Sequence, residues 1–289
     1  MTSAGDLLSG ISVVSVAINV PGPAAAARLT TLGAHVVTVL PPSGDPMEAA
    51  APGYFAELHQ AQDIVRLNLK ERADRDQLAA LLDDADLLIT SSRPSALRRL
   101  HLDFTSVHAH HPRLCLIDIV GYPGAGAEVA GHDLTYQASA GLIRGMRMPT
   151  TLTVDLAGAE RAAGEACAAL LARAATGAGV RREVAMSDLA VALARPIVHG
   201  LTEPGGPLGG GLPTYGLYAT ANGVIAIAAL EPHFADRLLA ELDLVAPIRR
   251  EDLEAAFRGR TSVQWQQWAA ARDIPITALT DSGEPSGTR

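Results

Sequence analysis

The segment ISVVSVAINVPGPAAAARLTTLGAHVVTVL, residues 11–40, decides the fold class. It begins with a β-branched apolar run of the kind found in buried parallel strands. A proline-rich turn at residues 21–23 follows, and then the helix-forming stretch Ala24–Leu32, with Gly33 at the expected C-cap. Val36–Leu40 predicts a second strand. A strand, a helix and a strand in so short a space indicate a βαβ unit with parallel strands.

The same alternation continues to residue 120. Predicted strands lie at Ile64–Leu67, Leu87–Thr90 and Leu114–Val120, and predicted helices lie at Arg72–Leu82 and from Ser95 onwards. This alternation predicts an α/β domain with a Rossmann-like, doubly wound parallel sheet. The first strand–helix turn lacks a GxGxxG fingerprint, so no nicotinamide cofactor is expected.

The pattern changes in the second half of the chain. Residues 131–200 are predicted to be mostly helical, most clearly at Ala157–Ala175, where Gly177 and Gly179 end the helix. The glycine-rich stretch Gly205–Gly211 is interpreted as a linker.

Residues beyond this glycine-rich stretch predict a smaller α+β domain. Ala221-Asn222-Gly223 between two apolar runs predicts a hairpin, and helices are predicted at His233–Leu242 and Arg250–Phe257. We therefore expect a large domain over residues 1–204 and a small one over residues 205–289, ending in a disordered tail, SGEPSGTR.

Composition excludes several classes of function. The 289 residues are 48% hydrophobic, which is ample for a buried core, and the net charge of −8 disfavours a nucleic-acid partner. No apolar run reaches membrane-spanning length, and no basic segment precedes an apolar one at the N-terminus, so we expect a cytoplasmic chain. Cys115 and Cys167 lie in apolar stretches without CxxC spacing, which indicates buried thiols.

Few single residues indicate a catalytic or metal-binding function by themselves. Asp155 precedes the long alanine-rich helix, and its spacing favours a helix N-cap, although a helix N-terminus also stabilises negative charge on a ligand. His108, His110 and His111 lie in a loop-like segment without a carboxylate or cysteine at ligand spacing. We expect a solvated turn there and no metal site.

The opening segment, residues 8–46, resembles that of class III CoA-transferases and α-methylacyl-CoA racemases, the CaiB/BaiF superfamily. Segments in the same order along nearly the whole chain carry the resemblance: VRLNLK (65–70), DADLLITSSRPSALRRLHLDF (84–104), HPRLCLIDIVGYPGAGAEVAGHDLTYQASAGLI (111–143), TVDLAGAERAAGEACAALLARAATGAG (153–179), YGLYATANGVIAIAALEPHF (215–234) and FRGRTSVQWQQWAAARDIPITAL (257–279).

This resemblance implies a coenzyme A thioester as substrate and an interlocked homodimer, with the active site between the large domain of one subunit and the small domain of the other. Members of both branches carry an aspartate where Asp155 stands: transferases use it as a nucleophile, and racemases use it as one of two acid/base groups. The racemase branch pairs it with a histidine in a GHD segment, matching His132, and with a glutamate in an ALEP segment, matching Glu231.

The three segments GHD, VDLAG and ALEP together favour the racemase branch. The expected reaction is inversion of the α-carbon of a 2-methylacyl-CoA by His132 and Asp155, with Asp133 and Glu231 orienting the site and tuning His132. Backbone N–H groups at the start of the helix at residues 157–175 are candidate donors to the enolate. A CoA-transferase with an aspartyl intermediate and a non-catalytic member with an altered ligand are the alternatives.

The resemblance assigns Val20, Arg93, Pro94 and Gly121 to the CoA site. The sequence also departs from the family. Gln60-Ala61-Gln62-Asp63 replaces a basic run, and Pro41-Pro42 follows the second strand where a basic residue is common; such residues meet CoA phosphates in relatives. The C-terminus is also short relative to the family.

Overall fold

The computed structural model describes residues 7–279, so the predicted disordered tail lies outside the described residues. The chain divides between Ala194 and Arg195 into two compact units. Each unit has hydrophobic core residues of its own. Among the helices of residues 7–279, none combines the length and the apolar character that a bilayer crossing requires.

The first unit is built on a six-stranded parallel sheet. Its strands are β1 (Ser12–Ser15), β2 (His35–Leu40), β3 (Asp63–Arg66), β4 (Leu87–Thr90), β5 (Cys115–Val120) and β6 (Arg181–Ala185). Their spatial order is β3-β2-β1-β4-β5-β6, with every neighbouring pair parallel. The order reverses between β1 and β4, which confirms the predicted doubly wound sheet.

Helices cover both faces of this sheet. They are α1 (Pro21–Thr31), α2 (Pro46–Ala50), α3 (Pro52–Leu58), α4 (Arg72–Asp83), α5 (Pro94–Leu100), α6 (Phe104–His110), α7 (Asp133–Ser139), α8 (Thr153–Thr176) and α9 (Met186–Val198). Buried residues of α1 and α8 form one core cluster with β1, β4 and β5. Buried leucines of α4 and α5 form a second cluster, to which α6 contributes Val107.

Alanine side chains let α1 and α8 approach each other closely. Ala25 and Ala26 of α1 are fully buried, as is Ala166 of α8, and all three belong to the same core cluster. The distance between packed helices depends on the side chains at the contact, so small residues bring the two backbones near. The low aromatic content of 4% is thus compatible with a well-packed core.

The start of α1 differs from the prediction. The turn expected at residues 21–23 is the first turn of the helix, which begins at Pro21. Proline suits the first helical position because the N–H that it lacks would have no partner there. The predicted end is confirmed, since Gly33 follows the helix with a φ of 97°.

β6 lies in the region for which helices were predicted. Its first three residues, Arg181, Arg182 and Glu183, are charged and exposed. They can be so because β6 is an edge strand of the sheet. Such a strand shows no apolar run, and the helical prediction for residues 131–200 is therefore wrong at this point. The helix predicted at 157–175 is confirmed as α8, and Gly177 ends it in a left-handed conformation.

The second unit contains an antiparallel sheet of three strands and three helices in its described part, up to residue 279. These are β7 (Tyr215–Ala219), β8 (Val224–Ala228), α10 (Pro232–Glu241), α11 (Arg250–Phe257), α12 (Ser262–Ala270) and β9 (Ile276–Ala278). β7 and β8 pair across the predicted Asn222-Gly223 hairpin, which is confirmed. Trp265, Trp268, Phe257 and Tyr218 fill its core.

The glycine-rich stretch at residues 205–211 is not an extended linker. The N–H of Gly205 donates to the carbonyl of Gly209 at 3.1 Å, and the N–H of Gly211 donates to that of Gly206 at 2.8 Å. A Cβ on Gly209 would lie 1.7 Å from the carbonyl oxygen of Glu203. The glycines therefore serve a compact turn in which backbone segments touch.

Substituting Gly22 tests how closely α1 fits against the residues after β1. A Cβ on Gly22 would lie 2.2 Å from the Cβ of Ala17, so Gly22→Ala forces α1 to shift. Overpacking of this kind costs about 1–3 kcal/mol of the free energy of unfolding. Urea denaturation followed by circular dichroism measures the loss.

Gly164→Ala is the matched control. Gly164 lies exposed within α8, and a Cβ there meets nothing within 4 Å. Because alanine has the higher helix propensity, this variant should gain about 0.5–1 kcal/mol. Similar effects of the two substitutions would contradict the close fit at Gly22.

Candidate active site

A cavity of about 230 Å³ lies at the carboxyl edge of the six-stranded sheet. Residues that follow β1, β4 and β5 line it, including Asn19, Ser91, Arg93 and Gly121. It is therefore next to the point between β1 and β4 where the strand order reverses. Parallel α/β sheets bind ligands at this position because the loops diverge there and leave a crevice.

Partly buried polar contacts hold the loop after β1 against its neighbours. The N–H of Ile18 donates to Oγ of Ser91 at 3.1 Å, and the N–H of Asn19 donates to Oδ2 of Asp45 at 2.8 Å. Asp45 is buried, and its other oxygen accepts from the N–H of Met47 at the start of α2. These contacts fix Asn19 in a left-handed conformation, with a φ of 71°.

Asp133 joins the beginnings of α7 and α8. Its side chain is buried, and Oδ1 accepts hydrogen bonds from the N–H groups of Val154 at 2.8 Å and Asp155 at 3.0 Å. Its Oδ2 accepts from Nε2 of Gln137 at 2.5 Å. A residue of α7 thus caps the first turn of α8, where free N–H groups favour a negative charge.

Asp155 is the third residue of α8, and the residue at the N-cap is Leu152, so the N-cap interpretation of Asp155 is wrong. The Asp155 side chain lines the cavity. Within residues 7–279 its carboxyl group accepts no hydrogen bond and joins no ion pair. Burial, followed by the nearby charge of Asp133, raises the pKa of Asp155 to about 7.

His132 directly precedes α7 and lines the same cavity. Its N–H donates to Oγ1 of Thr135 at 3.0 Å, and its carbonyl oxygen accepts from the N–H of Thr135 at 2.8 Å. These two contacts fix the backbone that carries the imidazole. The structure therefore brings His132 and Asp155 to one cavity from sequence positions 23 residues apart (155 − 132).

The sequence model of CoA-transferase family III matches residues 8–284. The chain belongs to this family. A CaiB/baiF CoA-transferase family protein of Caenorhabditis elegans is 26% identical over 303 residues, which cover 96% of this chain and 87% of the relative. Human alpha-methylacyl-CoA racemase is 28% identical over 306 residues, covering 94% of this chain and 77% of the enzyme.

A further relative has a solved structure. The probable fatty acyl-CoA transferase Rv3272 of Mycobacterium tuberculosis is 28% identical over 339 residues, covering 95% of this chain and 86% of the relative. Its crystal structure superposes with a TM-score of 0.81 over 95% of this chain and 84% of the crystallised one. Family III relatives of similar identity thus include a racemase and a transferase.

The other residues assigned to the family III site from the sequence lie in different places. Arg93 and Gly121 line the cavity. Pro94 begins α5 and lines a neighbouring cavity of about 400 Å³, and Val20 is a buried residue at the N-cap of α1. Glu231 is exposed and precedes α10 in the second unit, and its role stays a prediction.

The helix N–H groups expected to face an enolate lie beyond the first turn of α8. α8 begins at Thr153, four residues earlier than predicted, so the N–H groups at residue 157 and beyond belong to the interior of the helix. The N–H groups of Val154 and Asp155 donate to Asp133. The predicted enolate donors at residue 157 and beyond therefore lack structural support.

Sequence reasoning missed Asn19, Ser91 and Tyr136 as cavity residues. Asn19 and Ser91 follow the carboxyl ends of β1 and β4, and this position alone marks them in a doubly wound sheet. Tyr136 belongs to α7, four residues after the N-cap His132, and both residues line the cavity.

The histidine-rich segment forms part of a helix. His108 and His110 belong to α6, and His111 is its C-cap, so the solvated turn predicted there is wrong. Nδ1 of His111 lies 3.3 Å from Oδ1 of Asp83. Among residues 7–279 no group of three or more potential ligands is arranged to hold a metal ion.

The residues that replace the basic run of relatives lie at the opposite edge of the sheet. Gln60 and Gln62 precede Asp63, which begins β3, whereas the cavity lies at the carboxyl ends of the strands. Oε1 of Gln62 accepts a hydrogen bond from Oγ1 of Thr38, and Nε2 of Gln62 donates one to the carbonyl oxygen of Leu58. These positions do not line the cavity, so their expected contact with CoA lacks structural support.

Removing the charge of Asp155 should stabilise the fold at neutral and alkaline pH. Its folded-state pKa of about 7 exceeds the ordinary 3.8, so the wild type loses stability as the pH rises from about 4 to about 7. Asp155→Asn carries no such charge and should gain on the order of 2 kcal/mol at pH 8, allowing for partial solvent screening. Thermal unfolding at pH 5, 6, 7 and 8 measures this gain.

Asp188→Asn is the control, since Asp188 is a first-turn aspartate of α9 on the same unit. The difference in stability between Asp188→Asn and the wild type should not grow with pH as it does for Asp155→Asn. A gain for Asp155→Asn that stays constant across this range would contradict the raised pKa.

Proposed function

We propose that this family III chain is an acyl-CoA racemase or epimerase that inverts the α-carbon of a 2-methylacyl-CoA thioester. The observation that carries the proposal is the joint placement of His132 and Asp155 on one cavity, with the pKa of Asp155 raised to about 7. Imidazole and a carboxyl group with this pKa can each hold or release a proton near neutral pH. Similarity to human alpha-methylacyl-CoA racemase supports the same assignment.

In the proposed reaction, one of the two groups removes the α-proton from one face of the substrate. The C–H electron pair moves into the thioester, whose oxygen becomes an enolate oxygen. The other group then donates its proton to the opposite face, which yields the other enantiomer. Unprotonated Asp155 with protonated His132 serves one direction, and the opposite protonation states, left after turnover, serve the reverse direction.

The positions around the two groups support binding of a CoA thioester. Arg93 lines the cavity, and its guanidinium, whose charge also acts on Glu128, can bind an anionic group such as a CoA phosphate. Gly121 lines the cavity as well, next to the ring of Tyr136. We also propose that Val20 and Pro94 belong to the CoA site. Glu231 is proposed to orient the site and tune His132.

The second candidate function is CoA transfer between carboxylic acids. It is favoured by the Asp155 carboxylate, which no hydrogen-bond donor of residues 7–279 occupies and which lines the cavity. Such a carboxylate can attack the thioester carbonyl, form a mixed anhydride and release CoA as a thiolate. Similarity to the probable fatty acyl-CoA transferase of M. tuberculosis supports this alternative.

The proposed assembly is a homodimer, by analogy with the family. Light scattering at micromolar concentration should give twice the chain mass of 30.0 kDa. An interlocked interface is far larger than that of a transient contact, so the dimer should persist on dilution. A mass of one chain would contradict the proposed assembly.

Deuterium uptake at the α-carbon distinguishes the two reactions. In deuterated water the wild type should exchange the α-proton of both enantiomers of one 2-methylacyl-CoA, as followed by mass spectrometry. His132→Ala should retain exchange only for the enantiomer whose proton faces Asp155. Asp155→Asn should retain it only for the other enantiomer, because each remaining group serves one face.

His110→Ala is the matched control, since His110 is an exposed histidine of α6 away from the cavity. It should behave like the wild type. If the wild type exchanges neither enantiomer but moves CoA between carboxylic acids, and Asp155→Asn abolishes that transfer, the racemase assignment is wrong and Asp155 is a nucleophile.

A further inference from the structure

The side chain of Tyr136 has an unused hydrogen-bonding group at the cavity. Tyr136 is only 4% exposed and lines the cavity together with His132 and Asp155. Within residues 7–279 its hydroxyl makes no hydrogen bond. The ring is buried while the residue lines the cavity, so a polar group bound there can reach the hydroxyl. The hydroxyl is therefore available to a ligand that fills the cavity.

Two glycines make room for this hydroxyl. A Cβ built on Gly121 or on Gly131 would lie 2.5 Å from the Tyr136 oxygen, so no other residue fits at either position without displacing the ring. The ring of Tyr122 contacts that of Tyr136 edge-on, with centroids 5.5 Å apart. The position of the hydroxyl is thus determined before a ligand binds, as a stabilising donor requires.

The negative charge that develops on the thioester oxygen in the proposed reaction needs a hydrogen-bond donor, and two N–H groups of the first turn of α8 are already engaged. The N–H groups of Val154 and Asp155 already donate to Asp133. Burial, followed by the charges of Tyr122 and Asp155, raises the pKa of Tyr136 to about 12. The hydroxyl therefore keeps its proton at neutral pH and can donate without losing it.

We propose that the Tyr136 hydroxyl donates a hydrogen bond to the thioester oxygen of a bound acyl-CoA, and that this bond strengthens as the oxygen becomes negative. The inference rests on the proposed function, in which the α-proton moves to His132 or Asp155 and the C–H electron pair moves to that oxygen. Tyr136 retains its own proton throughout. In acyl transfer, the oxyanion formed by attack of Asp155 would use the same donor.

The test compares Tyr136→Phe with the control Tyr122→Phe, which removes a hydroxyl from the adjacent ring. The probe is isobutyryl-CoA labelled with ¹³C at the thioester carbonyl. Infrared difference spectra of the complex report the carbonyl stretch, which a hydrogen bond lowers. Deuterium uptake at the α-carbon reports the reaction, and thermal unfolding reports stability.

In Tyr136→Phe the carbonyl stretch should rise towards its value in water-free solvent, and the rate of exchange should fall about 100-fold. Stability should not decrease, because the hydroxyl has no partner within residues 7–279. Tyr122→Phe should match the wild type in both readouts.

An unchanged carbonyl stretch in Tyr136→Phe overturns the inference even if the wild type exchanges deuterium. A shift in the pH midpoint of exchange with an unchanged stretch also overturns it, since the hydroxyl then acts through Asp155. If the wild type transfers CoA without deuterium exchange, the racemase proposal is wrong but the inference about Tyr136 is not affected. The carbonyl stretch then still decides the role of Tyr136. A wild-type complex without a lowered stretch overturns the inference under either activity.

Discussion

The candidate site depends on one carboxylate, that of Asp133, which accepts two N–H groups from the first turn of α8. Because Asp133 is the first residue of α7, these bonds join the helix that follows His132 to the helix that carries Asp155. Without them, one buried and one partly buried N–H group would lose their acceptor. The placement of both candidate acid/base groups on one cavity follows from this contact.

The same carboxylate explains the unusual chemistry of Asp155. A carboxyl group in the first turn of a helix ordinarily has a low pKa, since the free N–H groups there stabilise its charge. Here Asp133 occupies those N–H groups and adds a negative charge nearby, while burial disfavours ionisation further. Asp155 is thus less stable as a carboxylate and more suited to exchanging protons. The fold tolerates this because α8 is anchored elsewhere by its alanine packing against α1.

Most of the sheet was predictable from the sequence, because buried parallel strands are short apolar runs whose hydrophobicity is visible without a partner. β4 matches its predicted bounds, and the Asn222-Gly223 hairpin follows from the turn type that these residues favour. β6 was missed because an edge strand with charged residues has no such run. The candidate pair His132 and Asp155 came from a family resemblance, whereas Tyr136 emerged only when the structure showed its hydroxyl without a partner within residues 7–279.

The charged character of β6 has a consequence for solubility at high concentration. An edge strand exposes unpaired backbone groups that can template the addition of a strand from another molecule. Arg181 pairs with Glu183, and Arg182 pairs with Glu165, so the outer strand carries charges that a neighbouring strand would have to desolvate. At the other edge, Arg66 of β3 pairs with Glu48. The two open edges of this apolar sheet are thereby protected against the strand-to-strand association that begins aggregation.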